Sequence, residues 1–416
     1  MNTERRLGSG LITGAADDDP SGIATYSQAG AQFGFSMLWT TVLTLPLMAG
    51  IQLVSARLGY VTGRGLAANI RAAFPRCVLL AIVTLLLLAN TFNIAADVAA
   101  MGQALQLLVG GPAQAYAAAF GLACLLLEVF LRYATYVRYL KWLTLALLAY
   151  VAVAFMIHVP WGIVLRELVW PRLPLTHATV LLVVAVFGTT ISPYLFFWQA
   201  AGEVEDRRAD APGAERSAPP PYGPAVRQQL HRIRWDTWVG MGFSNLVAFF
   251  ILLSTAATLH ASGLTQIQTS AEAAEALRPL GGPLTFLLFS LGIIGTGLLA
   301  VPVLAGSAAY AVSECFAWRE GLDLRPGEAP YFYGLIALAT LGGLGLGFTG
   351  IDPIRALLWS AVINGVIAVP IMVVMMRLAS DPLIMGDYRL RPRLRVLGWA
   401  ATLVMALAVA AMVATA

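Results

Sequence analysis

Three consecutive aspartates precede a proline inside the first apolar stretch of the chain, in the segment GAADDDPSG. They are Asp17, Asp18 and Asp19, followed by Pro20 and Gly22. Pro20 removes a backbone donor and clashes with the preceding turn, and Gly22 adds conformational freedom. Carboxylates within an apolar span mark ion pathways by default. The segment therefore predicts an unwound, acidic helix break, with a simple proline kink as the alternative.

A second break is predicted in the segment FGTTISPYLFFWQAAGEVED, which carries Gly188, Thr189, Thr190, Ser192 and Pro193 at its centre. Non-helical backbone at membrane depth is tolerated only where protein or water satisfies its polar groups. Two broken spans, five spans apart, are typical of inverted-repeat transporters whose site lies near the bilayer midplane. A proline kink is again the alternative for this span.

A polar stripe is predicted in the segment LANTFNIAADVAAM, where Asn90, Asn93 and Asp97 recur on one helical face. An aspartate in so apolar a span is a functional candidate, and the alternative is an Asp97 hydrogen-bonded between packed helices. Glu128 differs, because it precedes Arg132 by one helical turn. For these two we expect an ion pair that snorkels to the membrane surface.

The composition places these acids in a membrane protein. The chain has 416 residues, of which 59% are hydrophobic and 12% charged. Soluble proteins carry about 25% charged residues, so a soluble enzyme is excluded. Four histidines near span ends or in a loop provide no midplane proton relay, and three widely spaced cysteines form no CxxC motif. We expect an all-α polytopic membrane protein.

Eleven stretches are long and apolar enough to cross about 30 Å of hydrocarbon. The first is not a signal peptide, because the three aspartates interrupt its apolar core. The predicted spans are approximately residues 7–34, 36–58, 78–108, 114–131, 140–159, 175–202, 235–259, 283–312, 331–348, 354–376 and 396–416.

The basic residues predict the orientation of these spans. All but four of the 26 lysines and arginines fall on one side of an eleven-span arrangement, the exceptions being Arg166, Arg172, Arg278 and Arg355. The positive-inside rule then predicts a cytoplasmic N-terminus and an extracytoplasmic C-terminus in the plasma or bacterial inner membrane. The formal net charge of +4 reflects this topology and does not indicate a nucleic-acid partner.

A proline-rich segment separates six spans before it from five spans after it. Residues 207–234 carry five prolines and are predicted to form a cytoplasmic, semi-rigid or disordered connector. The predicted organisation is a first repeat at 1–160, the sixth span at 161–206, and the connector at 207–234. The rest of the second repeat then occupies 235–378, and a loop with span eleven occupies 379–416.

The two break motifs and nearby phrases such as RWDTWVGMGFSNLVAFFI and DPLIMGDY resemble the NRAMP family of divalent-metal transporters over almost the whole chain. The resemblance implies a LeuT-type fold, with a 5+5 inverted repeat, discontinuous helices 1 and 6, and an eleventh helix. The family motif Asp-Pro-Gly-Asn stands here as Asp19-Pro20-Ser21-Gly22. The family's metal-ligand aspartate thus corresponds to Asp19, whereas its asparagine ligand corresponds to Gly22.

The sixth-span motif departs further from the family. Met-Pro-His-Asn stands here as Ser192-Pro193-Tyr194-Leu195, and a second family histidine corresponds to Gln199. In span three, Asp-x-x-Glu keeps only its aspartate, Asp97. The thioether and imidazole groups that suit later transition metals are therefore replaced by oxygen donors, which suit hard cations. The chain in this respect resembles the NRAMP-related magnesium transporters, a branch with an altered metal site and without evident proton coupling.

These observations predict a carrier of divalent cations, chiefly Mg²⁺ with Mn²⁺ as a second candidate, that works by alternating access without proton coupling. Mg²⁺ usually keeps several waters and one or two carboxylate ligands, which fits a wide all-oxygen site. Asp19 is the expected main ligand, with the backbone carbonyls of Ala16 and Thr189, with Ser192, and with bridging water. Expected supporting or pathway residues are Asp17, Asp18, Gly22, Asn93, Asp97, Tyr194 and Gln199.

The expected partners are the transported cation and the lipid bilayer, with no cofactor and with no prediction of oligomeric state. Four alternatives stay open. They are a same-fold carrier of a non-metal solute, a proton-coupled transition-metal importer, a channel, and an intramembrane aspartyl enzyme using Asp19 and Asp97. The enzyme is the weakest of these, because it leaves the paired helix breaks unexplained and because HExxH is absent.

Overall fold

The computed structural model describes residues 9–131, 143–174, 176–210, 223–348, 350 and 352–416, and this part of the chain contains helices and no strands. Eight helices precede the sixth span: α1 Ser9–Asp17, α2 Pro20–Phe33, α3 Trp39–Thr62, α4 Leu66–Ala73, α5 Arg76–Val109, α6 Ala113–Phe130, α7 Leu148–Met156 and α8 Trp161–Val169. Nine follow: α9 His177–Thr190, α10 Pro193–Asp210, α11 Pro224–Thr255, α12 Ser270–Ala274, α13 Gly282–Phe316, α14 Pro330–Gly347, α15 Pro353–Ser380, α16 Pro382–Met385 and α17 Pro392–Thr415.

Nine helices in the described ranges are long and apolar enough to cross a membrane, or up to ten if a bent pair is counted as one span. Two of the eleven predicted spans do not appear among these nine helices. The first consists of α1 and α2, of 9 and 14 residues, each of which is too short to cross alone. The fifth is described only from residue 143, and it ends in a helix pair bent by 117°, Leu145–Met156 with Trp161–Val169.

Both predicted helix breaks are present. α1 ends at Asp17 and α2 begins at Pro20, with Asp19 as its N-cap. α9 ends at Thr190 and α10 begins at Pro193. Each proline takes the first position of a new helix, where its missing N–H would have had no helical partner in any case. A new helix therefore begins at each proline, although α9 and α10 together count as one membrane span, residues 177–209.

The four half-helices pack against long spans of both halves of the chain. α1 packs along α11, α2 contacts α11 and α15, α9 packs on α15, and α10 packs on α3 and α13. Gly14 and Gly240 let α1 and α11 approach closely: a Cβ atom built on Gly14 would lie 2.3 Å from the Gly240 carbonyl carbon. This packing places both helix breaks in the interior of the bundle.

The predicted connector 207–234 is partly helical. α10 continues to Asp210 and α11 begins at Pro224, so helices occupy both ends of that range. Hydrophobic periodicity does not reveal these extensions because their sequences are polar. Pro224 stands at the start of α11, a position that proline favours. Residues 211–222 lie outside the described part, so the prediction for that stretch stays a prediction.

Candidate functional site

Asp19 lies at the centre of the first helix break and is 1% exposed. Its Oδ1 accepts hydrogen bonds from the backbone N–H of Gly22 and from the Ser21 hydroxyl, each at 2.7 Å. An aspartate at an N-cap also gains from the positive end of the helix dipole. The sequence Asp-Pro-Ser-Gly thus fixes one carboxylate oxygen and leaves Oδ2 facing the second break.

Tyr194, on the first turn of α10, joins the two breaks. Its hydroxyl oxygen lies 3.2 Å from the Ala16 carbonyl oxygen and 3.4 Å from Asp19 Oδ2. Tyr194 was expected among the supporting residues, and the structure places its hydroxyl directly beside the carboxylate. Two of the predicted ligands, Asp19 and the Ala16 carbonyl, therefore both contact the Tyr194 hydroxyl.

Ser21 connects Asp19 to Thr189, at the end of α9. The hydroxyl oxygens of Thr189 and Ser21 are 3.3 Å apart, so Ser21 contacts both the Asp19 carboxylate and the end of α9. The Ser192 hydroxyl donates back to the carbonyls of Gly188, at 2.9 Å, and Thr189, at 2.8 Å. The predicted carbonyl of Thr189 and hydroxyl of Ser192 thus contact each other, and the structure records no contact of either with Asp19.

Asp17 and Asp18 face a different helix from Asp19. The Ser244 hydroxyl on α11 lies 2.5 Å from Asp17 Oδ2 and 3.0 Å from Asp18 Oδ1. Consecutive helical residues point about 100° apart, so three adjacent aspartates do not face one point on an intact helix. Here α1 ends at Asp17, and the acids divide into a pair toward α11 and Asp19 toward α10.

Asp97 and Asn93 lie buried on α5, both at 0% exposure. Their side-chain oxygen and nitrogen atoms contact no hydrogen-bond partner among the described residues. α5 packs against α2, the helix whose N-cap is Asp19, so Asp97 lies on an element that borders the site. The alternative of a hydrogen-bonded Asp97 therefore finds no support in the described part of the chain.

The other two predicted supporting residues differ in position: Gly22 borders the site, whereas Gln199 contacts a residue of α11. Gln199 Nε2 donates to the Thr237 hydroxyl at 2.9 Å, and the structure records no contact between Gln199 and the aspartates. Gly22 borders the site: a Cβ atom built there would lie 3.3 Å from Thr189 Oγ1 and 3.5 Å from Asp19 Oδ1. A side chain at position 22 would therefore crowd these oxygens, and glycine avoids that contact.

Ser21 and Ser244 are the site residues that the sequence analysis did not single out. Ser21 stands inside the Asp-Pro-Ser-Gly motif, so its place beside Asp19 was readable from the sequence. Ser244 lies within the phrase MGFSNLV, where a polar Ser-Asn pair interrupts an apolar span. That interruption was the available signal, but only the packing of α1 on α11 pairs it with the aspartates.

Glu128 is buried, at 3% exposure, and does not snorkel to the surface as expected. Its Oε1 lies 3.3 Å from where a Gly306 Cβ would stand, so the side chain faces α13. The expected partner Arg132 lies outside the described residues. Helical spacing alone does not tell whether a side chain near a span end faces lipid or protein.

The site as a whole is closed and acidic. Asp17, Asp18 and Asp19 are 1%, 4% and 1% exposed, and the ion pairs of the described ranges include none of them. Within those ranges no three histidine, cysteine, aspartate or glutamate side chains form a metal-binding group. Cation binding here would therefore combine a carboxylate with hydroxyl and carbonyl oxygens and with water, as hard cations allow.

Comparison with known proteins agrees with this architecture. Residues 10–415 match the family model described as Nramp, natural resistance-associated macrophage protein-like. The divalent metal cation transporter MntH of Aeromonas hydrophila subsp. hydrophila is 26% identical over 94% of this chain and 91% of its own length.

Solved structures show the same fold at lower identity. The Eremococcus coleocola manganese transporter, solved with an aromatic bis-isothiourea compound, has a TM-score of 0.73 at 19% identity over 97% of this chain and 85% of its own. MhsT in complex with L-phenylalanine has a TM-score of 0.66 at 12% identity over 98% and 99%. The fold is therefore of the LeuT type, and the expectation of a transporter in place of an enzyme is confirmed. Since the family model spans nearly the whole sequence, this chain belongs to the Nramp family of divalent metal transporters.

Proposed function

We propose that this protein carries Mg²⁺, with Mn²⁺ as a second substrate, through the paired helix breaks by alternating access and without proton coupling. The observation that carries the proposal is the surroundings of Asp19. Every group recorded around its carboxylate is a hydroxyl or a backbone N–H, contributed by Ser21, Gly22 and Tyr194. The oxygens recorded beside this carboxylate are the hydroxyls of Ser21 and Tyr194, and a carboxylate with hydroxyl oxygens suits a hard, partly hydrated cation.

The proposed ligands are Asp19, the Ala16 and Thr189 carbonyls, and Ser192, with water completing the shell. A carbonyl oxygen has two lone pairs, so Ala16 and Thr189 retain acceptor capacity while they bond Tyr194 and Ser192. The lack of a side chain at Gly22 supports the proposal, because a Cβ there would already lie 3.3 Å from Thr189 Oγ1 and 3.5 Å from Asp19 Oδ1. Asp17, Asp18 and Asp97 add negative charge around a divalent ion, while Asn93, Tyr194 and Gln199 are proposed as supporting residues.

The driving force in this proposal is the membrane potential. Moving one elementary charge down a membrane potential of 100 mV releases about 2.3 kcal/mol, so moving a divalent cation down the same potential releases about 4.6 kcal/mol. This is a sufficient driving force for uptake without a coupled proton. The loss of the two family histidines, at Tyr194 and Gln199, supports this part of the proposal, because neither replacement titrates readily near neutral pH.

One observation favours the second candidate, a transition-metal importer with proton coupling. The Met101 thioether packs beside Gly297, and a Cβ at Gly297 would also lie 3.4 Å from Pro20 Cγ. A soft sulfur donor is therefore present near the first break, one helical turn beyond Asp97. Transport assays with both metals separate the two candidates.

Flux into proteoliposomes tests the proposed function. Mg²⁺ entry under an inside-negative potential, read with an internal Mg²⁺ dye, is expected for the native protein and is expected to fall to background for Asp19→Ala. Glu275→Gln, which removes a half-buried acid of an ion pair with Arg278, is the matched control and is expected to retain flux. An internal pH dye is expected to show no change.

Three results would contradict the proposal. Native flux by Asp19→Ala would refute the assignment of the site. Acidification that follows Mg²⁺ entry would refute uncoupled transport. Entry of Mn²⁺ without entry of Mg²⁺ would favour the transition-metal importer.

A further inference from the structure

The start of α17 and the loop before it carry four arginines in the short sequence RLRPRLR. They are Arg389, Arg391, Arg393 and Arg395, and all four are exposed. The ion pairs of the described ranges include none of them. This end of α17 therefore carries positive charge that the described part of the protein does not neutralise.

The helix dipole adds positive charge at the same place. α17 begins at Pro392, its N-cap Arg391 makes no side-chain hydrogen bond to the first turn, and that turn contains no acidic residue. A helix N-terminus attracts anions, and cationic side chains are unfavourable there unless an anion is bound. The dipole and the arginines thus both favour an anionic ligand.

A groove with a volume of about 590 Å³ extends along α17 from these arginines. Its lining on this helix consists of Arg395, Val396, Trp399, Ala400 and Leu403, which share one helical face. The helix rises about 12 Å between Arg395 and Leu403. Arg395 is the only charged residue of the lining, so the groove is basic at one end and apolar along the rest.

The groove lies on the lipid-facing side of α17. Val396 and Leu403 are 68% and 59% exposed, while other positions of the helix pack on α3, α9 and α15. α17 is long and apolar enough to cross a membrane, so its first turns lie near the membrane surface. Tryptophan favours this boundary, and Trp399 lies one turn beyond Arg395. The groove therefore leads from the level of lipid headgroups to the level of acyl chains.

We propose that this groove binds an anionic phospholipid, whose phosphate contacts Arg395 and the start of α17 and whose acyl chain lies along Trp399 and Leu403. A free phosphate would leave the apolar part of the groove unfilled, and a zwitterionic lipid would leave the arginines without a neutralising charge. The basic residues predict that this end faces the cytoplasm, where the leaflet carries anionic lipids. The proposal does not depend on which cation is transported.

Quenching of Trp399 by brominated lipids tests the groove. The purified full-length protein is reconstituted in phosphatidylcholine vesicles with a minor fraction of phosphatidylglycerol. Either the phosphatidylglycerol or an equal amount of the phosphatidylcholine carries bromine on its acyl chains. The chain has ten tryptophans, so the Trp399 signal is the difference between each protein and the same protein with Trp399→Phe. Phosphatidylglycerol is expected to be enriched about fivefold beside Trp399, the preference that one arginine near a lipid surface provides.

Arg395→Gln is expected to remove this preference. Brominated phosphatidylcholine should still quench Trp399 in the variant, which shows that the variant is folded and inserted. Arg325→Gln is the matched control, because Arg325 is an exposed arginine between α13 and α14 and does not line the groove. Its preference for phosphatidylglycerol is expected to equal that of the native protein.

Three results would overturn the lipid site. Equal quenching by the two brominated lipids in the native protein would show that the groove does not select a charged lipid. A preference that survives in Arg395→Gln would place the selecting charge elsewhere. Loss of the preference on addition of inorganic phosphate would assign the arginines to a free anion.

Discussion

At the scale of single residues, this chain differs from its family in the side chains around one retained carboxylate. Asp19 keeps the N-cap position that holds one of its oxygens in place. The residues that would add amide or sulfur ligands are Gly22 and Ser192, and neither extends a side chain toward Asp19 Oδ2. In the proposed function, the absence of these two ligands is the feature that we expect to set selectivity.

Restoring an amide at position 22 tests this account. Gly22→Asn is expected to raise transport of Mn²⁺ relative to Mg²⁺ by about tenfold, equivalent to about 1.4 kcal/mol. The new Cβ would lie 3.3 Å from Thr189 Oγ1 and 3.5 Å from Asp19 Oδ1, so the Thr189 side chain must shift by a few tenths of an ångström. Mg²⁺ gives up water reluctantly, so replacing a water by a protein oxygen disfavours Mg²⁺ more.

The measurement is the ratio of initial Mn²⁺ and Mg²⁺ fluxes in the same liposomes. Gly22→Ala is the control, since it fills the space without adding a ligand, and we expect its flux ratio to stay at the native value. An unchanged ratio in Gly22→Asn would show that position 22 does not determine selectivity.

At the scale of helices, the site depends on how closely α1 packs on α11. A Cβ on Gly240 would lie 2.4 Å from the Gly10 carbonyl oxygen, and a Cβ on Gly14 would lie 2.3 Å from the Gly240 carbonyl carbon. Only glycines permit this approach, which places Ser244 beside Asp17 and Asp18. Close backbone packing through small residues is typical of helix pairs in membranes.

Gly240→Ala is expected to push α1 away from α11 and to destabilise the folded protein by about 1–3 kcal/mol, the usual cost of overpacking. A lower unfolding temperature of the detergent-purified protein measures this effect. Gly242→Ala, on the same helix, is the control, because a Cβ there has nothing within 4 Å. Equal melting of the two variants would contradict the close packing of α1 on α11.

At the scale of the whole molecule, the described structure closes the site on both sides of the breaks. On α2, the Gln28 side chain accepts from the Ile267 N–H at 2.9 Å and donates to the Thr265 carbonyl at 3.2 Å. On α1, Ser9 donates to Glu203 at 2.5 Å. In the proposed alternating-access mechanism, we expect one of these contacts to open while the other stays closed.

Orientation is the prediction that belongs to this scale. A phosphatase fused after Ala416 is expected to be active and a fluorescent protein fused there dark, because the basic residues predict an extracytoplasmic C-terminus. The same reporters inserted in the 211–222 segment are expected to give the opposite pattern. A fluorescent C-terminal fusion would refute the eleven-span orientation.

Several features of the fold and the site were predictable from residue types alone. Pro20 and Pro193 marked the two breaks, because proline inside an apolar span interrupts the helix and favours the first position of the next one. Asp19 was singled out as the acid next to the proline, and it occupies the N-cap. The polar helix extensions at 207–210 and 224–234 were not predictable from hydropathy, because that signal reports burial in lipid or core and not helix formation.

The sequence by itself determined the membrane class, the two helix breaks and the acids within them, because charge is too costly in an apolar span to occur without a role. Only the tertiary structure decided which partner each acid has. It joined Tyr194 to Asp19 across two breaks, paired Ser244 with Asp17 and Asp18, and turned Glu128 inward. These contacts link residues far apart in the chain, and packing geometry, not local spacing, sets them.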